Sequence, residues 1–170
     1  MSIWQETEFK SLTYGDLSLE GMAGVVHWIL DREGKGFSYE MAIGSDSQLR
    51  DGFFCLVTVL VLHKFLDGVG QGALFFYSLF EYEKGPVSLR EKIFQEAGAS
   101  VTFADCFCGE YERQFGVDLC LRIELQVDAG KNGDTREVIP EVARYVVENG
   151  YKVVFKPEAE EIRVADVLSK

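Results

Sequence analysis

Residues 41–54, MAIGSDSQLRDGFF, begin as an apolar segment that stops abruptly at polar residues. Met41 and Ile43 show the alternation of a strand, and Gly44-Ser45-Asp46-Ser47 follows at once. Two explanations fit a carboxylate between two hydroxyls where a strand stops. Asp and Ser bond to nearby backbone groups and are common in turns, and a carboxylate there is also a metal ligand. This stretch alone leaves both explanations open.

Composition favours one domain spanning residues 1–170. Of the 170 residues, 47% are apolar, which is enough to form one sizeable core. No run of about 18 uncharged apolar residues is present, and the N-terminal MSIWQETEFK lacks the basic start and apolar segment of a signal peptide. We therefore expect a cytoplasmic protein that does not enter a membrane. The four cysteines lack CxxC spacing, which favours buried free thiols over structural zinc.

The chain is acidic, and the acidity is uneven. Its 28 Asp and Glu residues against 17 Lys and Arg residues give a net charge of −11. Such a charge argues against tight non-specific binding to nucleic acid, because that binding requires neutralisation of phosphates. Residues 1–130 hold 20 of the acids and 10 of the bases, whereas residues 131–170 hold 8 acids and 7 bases. A polyanion is therefore expected to approach the C-terminal quarter.

The N-terminal half contains one predicted helix and three predicted strands. Helical spacing of apolar residues, with Ser18 as N-cap, predicts a helix over 18–31 within an N-terminal helical extension at about 1–36. Alternating or continuous apolar patterns predict strands at 38–46, 53–65 and 73–83. Short glycine-containing links join these strands, so we expect an antiparallel meander.

The C-terminal half alternates helices with strands. Ser88 and Glu91 form a capping box that starts a helix. After this helix the predicted elements are a strand, a helix, a strand and a terminal helix, at 118–130, 134–150, 151–157 and 160–170. Strands separated by helices pair in parallel through right-handed crossovers. The prediction is an α/β fold with a mixed five-stranded sheet flanked by helices.

Carboxylates end two of the predicted strands in the same way. Asp46 closes the first strand and Asp128 the fourth, and parallel neighbouring strands would bring both to the edge where open α/β sheets place ligands. Adjacent unpaired carboxylates repel each other unless a proton or a cation lies between them. Oxygen ligands without His or Cys favour Mg²⁺ or Mn²⁺ over zinc. Glu91 and Asp166 are two further acids that such a site could include.

Five motifs, in this order along the chain, resemble those of the ribonuclease H-like YkuK family. They are IGSDSQ at 43–48, SLREKI at 88–93, VDAGKNGDTRE at 127–137, FKPEA at 155–159 and VADVLSK at 164–170. The resemblance implies a ribonuclease H-like sheet with strand order 3-2-1-4-5, in which strand 2 is antiparallel. It also implies an acidic cluster that holds two divalent metal ions.

The family's functional residues can be carried over one by one. The resemblance implies that the catalytic metal ligands are Asp46, Glu91, Asp128 and Asp166. The family's two basic elements fall on Lys131 and Lys156, which are candidates for contacts with substrate phosphates.

If these acids converge, the expected chemistry is two-metal hydrolysis of a phosphodiester bond with Mg²⁺ or Mn²⁺. The substrate would be RNA, an RNA–DNA hybrid or structured DNA. GKNGDT at 130–135 lacks the spacing of an NTPase phosphate loop, and no histidine has a triad pattern with Ser45 or Ser47.

Each acid also has an explanation without catalysis. Asp46 and Asp128 have the character of turn residues, Glu91 completes a capping box, and Asp166 is an ordinary acid near a terminus. The alternative is therefore a catalytically inactive ribonuclease H-like binding or regulatory module, which the acidity of the chain favours. The sequence does not specify the oligomeric state.

Overall fold

A computed structural model describes residues 2–34, 36–129 and 135–155 of the chain. In chain order its elements are β1 (Phe9–Ser11), β2 (Gly15–Leu17), α1 (Leu19–Leu30), β3 (Phe37–Arg50), β4 (Phe53–Leu66), β5 (Val69–Tyr82), α2 (Leu89–Phe115), β6 (Ile123–Val127), α3 (Ile139–Glu148) and β7 (Lys152–Phe155). The predicted terminal helix lies outside the described residues. None of the helices in the described ranges combines the length and apolar character needed to cross a membrane.

β3, β4 and β5 form a long antiparallel meander with two tight turns. Each strand has 14 residues, or roughly 46 Å of extended chain. The turns are Asp51-Gly52 and Asp67-Gly68, and all four residues have positive φ, from 49° to 86°. This is the backbone of two-residue type I′ turns, whose twist matches that of the strands they join. The resulting register pairs Asp46 of β3 with Val57 of β4.

The sheet contains seven strands in the order β2-β1-β5-β4-β3-β6-β7. The predicted five-stranded sheet of order 3-2-1-4-5 is therefore corrected, because the antiparallel hairpin of β1 and β2 extends the edge beside β5. These strands have three residues each, which is too short for a strand period to be visible in the sequence. β4 pairs antiparallel with one side of β3. On the other side, β6 pairs in parallel with β3, and β7 pairs in parallel with β6.

Two C-terminal elements begin later than their sequence patterns predict. Residues Cys120–Arg122 form a 3-10 turn before β6, and Leu121 is 77% exposed although it shares the apolar alternation. The carboxylate of Asp118 accepts a hydrogen bond from the Cys120 N–H at 2.8 Å, which supports this turn. Pro140 lies in the first turn of α3, where the N–H that proline lacks has no partner in the helix.

α2 is the helix that covers the centre of the sheet. It has 27 residues, or roughly 40 Å, and packs against β3 and β6. Its buried apolar residues recur at helical spacing: Ile93, Ala97, Val101, Ala104 and Cys108. Two polar side chains, Glu96 and Ser100, share this buried face. Their positions connect the core to the candidate site.

Candidate active site

The C-terminal part of β3 is fastened to α2 by hydroxyl groups. The Ser45 Oγ lies 2.8 Å from both the Thr58 Oγ1 and the Ser100 Oγ. Two residues further along β3, the Ser47 hydroxyl donates to the Glu96 carboxylate at 2.5 Å. All of these side chains are buried. The backbone on either side of Asp46 is therefore held firmly against the helix.

Glu96 is a buried carboxylate close to Asp46. The two residues are 3% and 6% exposed, and we call them the acid pair. Burial raises the pKa of Glu96 to about 7, although Lys92 and the Ser47 hydroxyl oppose the rise and the charge of Asp46 adds to it. A carboxyl group with such a pKa is characteristic of functional sites.

Lys92 supplies a positive charge to the acid pair. Its Nζ lies 3.2 Å from the Glu96 Oε1 and 3.9 Å from the Asp46 Oδ1. Burial lowers the pKa of Lys92, but the charges of Glu96 and Asp46 outweigh this effect and the pKa is raised. The ammonium form is therefore the stable one beside these two carboxylates.

Asp128 lies next to this group at the end of β6. β3 and β6 are parallel, and their register places Gly44 opposite Gln126. Asp46 and Asp128 each follow two residues later on these neighbouring strands. β3 continues to Arg50, so Asp46 lies within its strand and the prediction that it closes the strand is wrong, because pairing with β4 extends the strand through the polar residues. The charge of Asp128 also favours the ammonium form of Lys92. Asp128 therefore lies within electrostatic range of Lys92, and a shared site for Asp46 and Asp128 stays a prediction.

Glu91 has a different position from Glu96. Its backbone N–H donates to the Ser88 hydroxyl at 3.1 Å, and its carboxylate accepts from the Val87 N–H at 2.8 Å. Its side chain is exposed at the start of α2. Five residues along an α-helix correspond to a rotation of about 140° around the axis. The structure therefore places Glu96, and not Glu91, against the side chains of β3.

The remaining predicted site residues lie outside the described part of the chain. They are Lys131, Lys156 and Asp166. Across residues 2–34, 36–129 and 135–155, no three His, Cys, Asp or Glu side chains form a group arranged to hold a metal ion. Mg²⁺ is commonly held by only one or two carboxylates together with water and substrate phosphates. The acid pair, with oxygen donors alone, fits that mode of binding.

Glu96 and Lys92 are site residues that the sequence patterns did not single out. The signal for Glu96 was its position three residues after Ile93 and four before Ser100, on the face that the apolar spacing assigns to the core. A glutamate is almost never fully buried unless it is paired. Lys92 lies one helical turn before Glu96, so both side chains lie on the same side of α2.

The sequence has relatives that place it in a family. The family described as "Ribonuclease H-like" matches residues 24–170, which include β3 to β7 and the acid pair. The chain is also 28% identical over 130 residues to "Uncharacterized protein YkuK" of Bacillus subtilis (strain 168), an alignment that covers 72% of this chain and 73% of that protein. No solved structure matches the chain. The resemblance to the ribonuclease H-like YkuK family is thus confirmed, and the chain belongs to the ribonuclease H-like family.

Proposed function

We propose that this chain is a nuclease that hydrolyses phosphodiester bonds with divalent metal ions bound at Asp46 and Glu96, with Asp128 on the neighbouring strand. The observation that carries the proposal is the buried acid pair on β3 and α2, beside Asp128, in a ribonuclease H-like chain. Two carboxylates taken out of water need a proton or a cation between them, and in this proposal a divalent ion takes that place. Their oxygen donors suit Mg²⁺ or Mn²⁺.

The chain's own residues have distinct tasks in this proposal. Asp46 and Glu96 would bind the cofactor, with Asp128 at the neighbouring strand end. The Ser47 hydroxyl, bonded to Glu96, would orient that carboxylate for binding. When bound, the divalent ions would activate the attacking water and stabilise the departing oxygen. Asp166 remains a proposed fourth ligand from the C-terminal segment.

The substrate in this proposal is RNA, an RNA–DNA hybrid or structured DNA. A net charge of −11 repels a polyanion, so the metal ions would supply the positive charge that the phosphates need. Lys131 and Lys156 belong to the nearly neutral C-terminal quarter and are proposed to contact phosphates on that side.

One observation favours the alternative of an inactive binding or regulatory module. The ammonium of Lys92 already gives the acid pair a counter-charge without any metal ion. In that alternative Lys92 is a permanent part of the fold, and the carboxylates never bind a divalent ion.

The test is metal-dependent cleavage of labelled RNA, DNA and hybrid substrates. We expect cleavage with Mg²⁺ or Mn²⁺ and none with EDTA. Asp46→Asn should reduce the rate by at least about 100-fold, because loss of a ligand is more severe than loss of a group that only supports one. Asp16→Asn, the same change in exposed β2 at the far edge of the sheet, is the matched control and should cleave normally. Failure of the parent chain to cleave any substrate with either metal would favour the inactive module.

A further inference from the structure

The position of Lys92 conflicts with simple metal binding. Its ammonium lies 3.2 Å from the Glu96 Oε1 and 3.9 Å from the Asp46 Oδ1, so it contacts the same carboxylates that would hold a metal ion. A divalent ion and an ammonium group cannot both be placed there without strong repulsion. One of the two cations has to leave.

We propose that Lys92 is a resident counter-ion that a divalent metal must displace, and that it thereby sets the metal affinity of the site. The inference rests on the proposed function, because it concerns the same carboxylates. Lys92 is a positioning residue in this account: it acts on the acid pair and does not itself take part in hydrolysis.

Of the three charged side chains, that of Lys92 is the one expected to move. The Lys92 side chain is 33% exposed, whereas those of Asp46 and Glu96 are 8% and 4% exposed. A flexible four-carbon stem allows the ammonium to turn into water without losing its proton. Asp46 and Glu96 are held on β3 and α2 and would stay in place.

Among the described residues, carboxylates are the groups shown to favour the ammonium of Lys92, and its position on α2 does not. Lys92 is the fourth residue of α2, close to the helix N-terminus. The helix dipole places partial positive charge at this end and disfavours a cation. Once the acid pair is neutralised by a metal, nothing in the helix favours the inward position of Lys92.

This arrangement has two consequences for the metal-free chain. Lys92 reduces the repulsion within the acid pair, so the fold does not depend on metal for its stability. The same ammonium competes with every incoming ion, so the site binds metal more weakly than the carboxylates alone would.

Calorimetric titration with Mn²⁺ alone tests the competition. Lys92→Met keeps an unbranched stem without the charge, and we expect it to bind Mn²⁺ at least about tenfold more tightly than the parent. Lys92→Arg retains the charge and should not bind more tightly. Lys10→Met removes a charge from an exposed position on β1, which two strands separate from β3, and is the matched control for net charge.

Thermal unfolding separates this role from a purely structural one. Without metal, Lys92→Met should melt at a lower temperature than the parent, since two carboxylates lose their counter-charge. Mn²⁺ should raise the melting temperature of the variant by more than it raises that of the parent. A lysine that serves only the fold would lower the melting temperature and leave the Mn²⁺ affinity unchanged.

The outcomes distinguish the two proposals. If the parent binds Mn²⁺ and Lys92→Met binds equally or more weakly, displacement of Lys92 is wrong and the metal site stands. If neither the parent nor Lys92→Met binds Mn²⁺, the metal site itself is wrong.

A measurement on the parent chain covers the case in which Lys92→Met does not fold. Acetic anhydride labels exposed lysines, and mass spectrometry gives the ratio of labelling at Lys92 to labelling at Lys10. Mg²⁺ should raise this ratio several-fold, because the displaced ammonium enters solvent. A ratio that stays the same at saturating Mg²⁺ would overturn the inference.

Discussion

The Glu96 side chain is deeply buried, and its pKa lies near neutrality. Its pKa in the folded chain, about 7, lies above the ordinary value of 4.5, chiefly because of burial. The folded state therefore binds this proton more tightly than the unfolded state does. The stability that the group contributes is greatest at low pH, declines as the pH rises from about 4.5 to about 7, and stays low above that range.

Replacement of Glu96 by Gln should make the metal-free chain less sensitive to pH. A pKa difference of this size corresponds to roughly 3 kcal/mol of unfolding free energy. The free energy of unfolding of Glu96→Gln, relative to that of the parent, should thus rise by up to about 3 kcal/mol as the pH increases from 5 to 8. Urea denaturation at several pH values in EDTA measures the difference. If the difference in unfolding free energy between parent and variant stays constant across this pH range, Glu96 does not titrate there.

Individual site residues differed in how far the sequence could predict them. Asp46 and Asp128 were identified because each follows the apolar alternation of a predicted strand, although β3 continues past Asp46 to Arg50. Glu91 and Glu96 both lie near the start of α2, and the resemblance placed the helix ligand at the first of them. The contact between Glu96 and Ser47 depends on how α2 is rotated over β3, which is a property of packing and not of local pattern.

In the first two turns of α2, one glutamate caps the helix and a different glutamate contacts the ammonium of Lys92. Ser88 and Glu91 satisfy backbone N–H groups at the helix start. One turn later, Lys92 and Glu96 face β3. The geometry of the helix thus assigns each carboxylate one role, and substitution can separate the two.

Glu91→Gln and Glu96→Gln should differ sharply in their response to metal. We expect Glu91→Gln to keep the full Mn²⁺-induced rise in melting temperature and Glu96→Gln to lose most of it, since ligand binding to the native state raises its stability. Differential scanning fluorimetry with and without Mn²⁺ provides the comparison. Loss of the metal response in Glu91→Gln, with retention in Glu96→Gln, would restore Glu91 as the helix ligand.

Helices, strands and turns could be predicted where a short sequence pattern specifies them strongly. Asp51-Gly52 and Asp67-Gly68 are strong turn signals, and the three strands that they connect form the predicted meander. β1 and β2 are too short for a period, and they acquire their strand geometry by pairing at the edge beside β5. Leu121 continues an apolar alternation but lies in solvent, because pattern alone does not show where pairing begins.

The net charge of the whole molecule opposes contact with nucleic acid and bears on the proposed role of divalent ions. With a net charge of −11, the chain repels phosphates except where bound cations reverse the local charge. Salt screening weakens this repulsion in general, but it does not create a specific site.

Binding of a non-cleavable phosphorothioate hybrid should therefore require Mg²⁺ and Asp46. Fluorescence anisotropy should show at least roughly tenfold tighter binding with Mg²⁺ than with EDTA for the parent chain. Asp46→Asn makes the chain less negative, so general electrostatics predict better binding, whereas loss of the metal site predicts weaker binding. Binding by Asp46→Asn that equals or exceeds that of the parent would contradict a role for this site in substrate recognition.

The sharing of a divalent ion by Asp46 and Glu96, as proposed above, can be tested by the anomalous scattering of a crystal soaked in Mn²⁺. If the two carboxylates share an ion, an anomalous peak lies at about 2.1 Å from an oxygen of each carboxylate, with the Lys92 ammonium turned into solvent. The contradicting result is a crystal that shows no peak there, with the ammonium of Lys92 still bonded to Glu96.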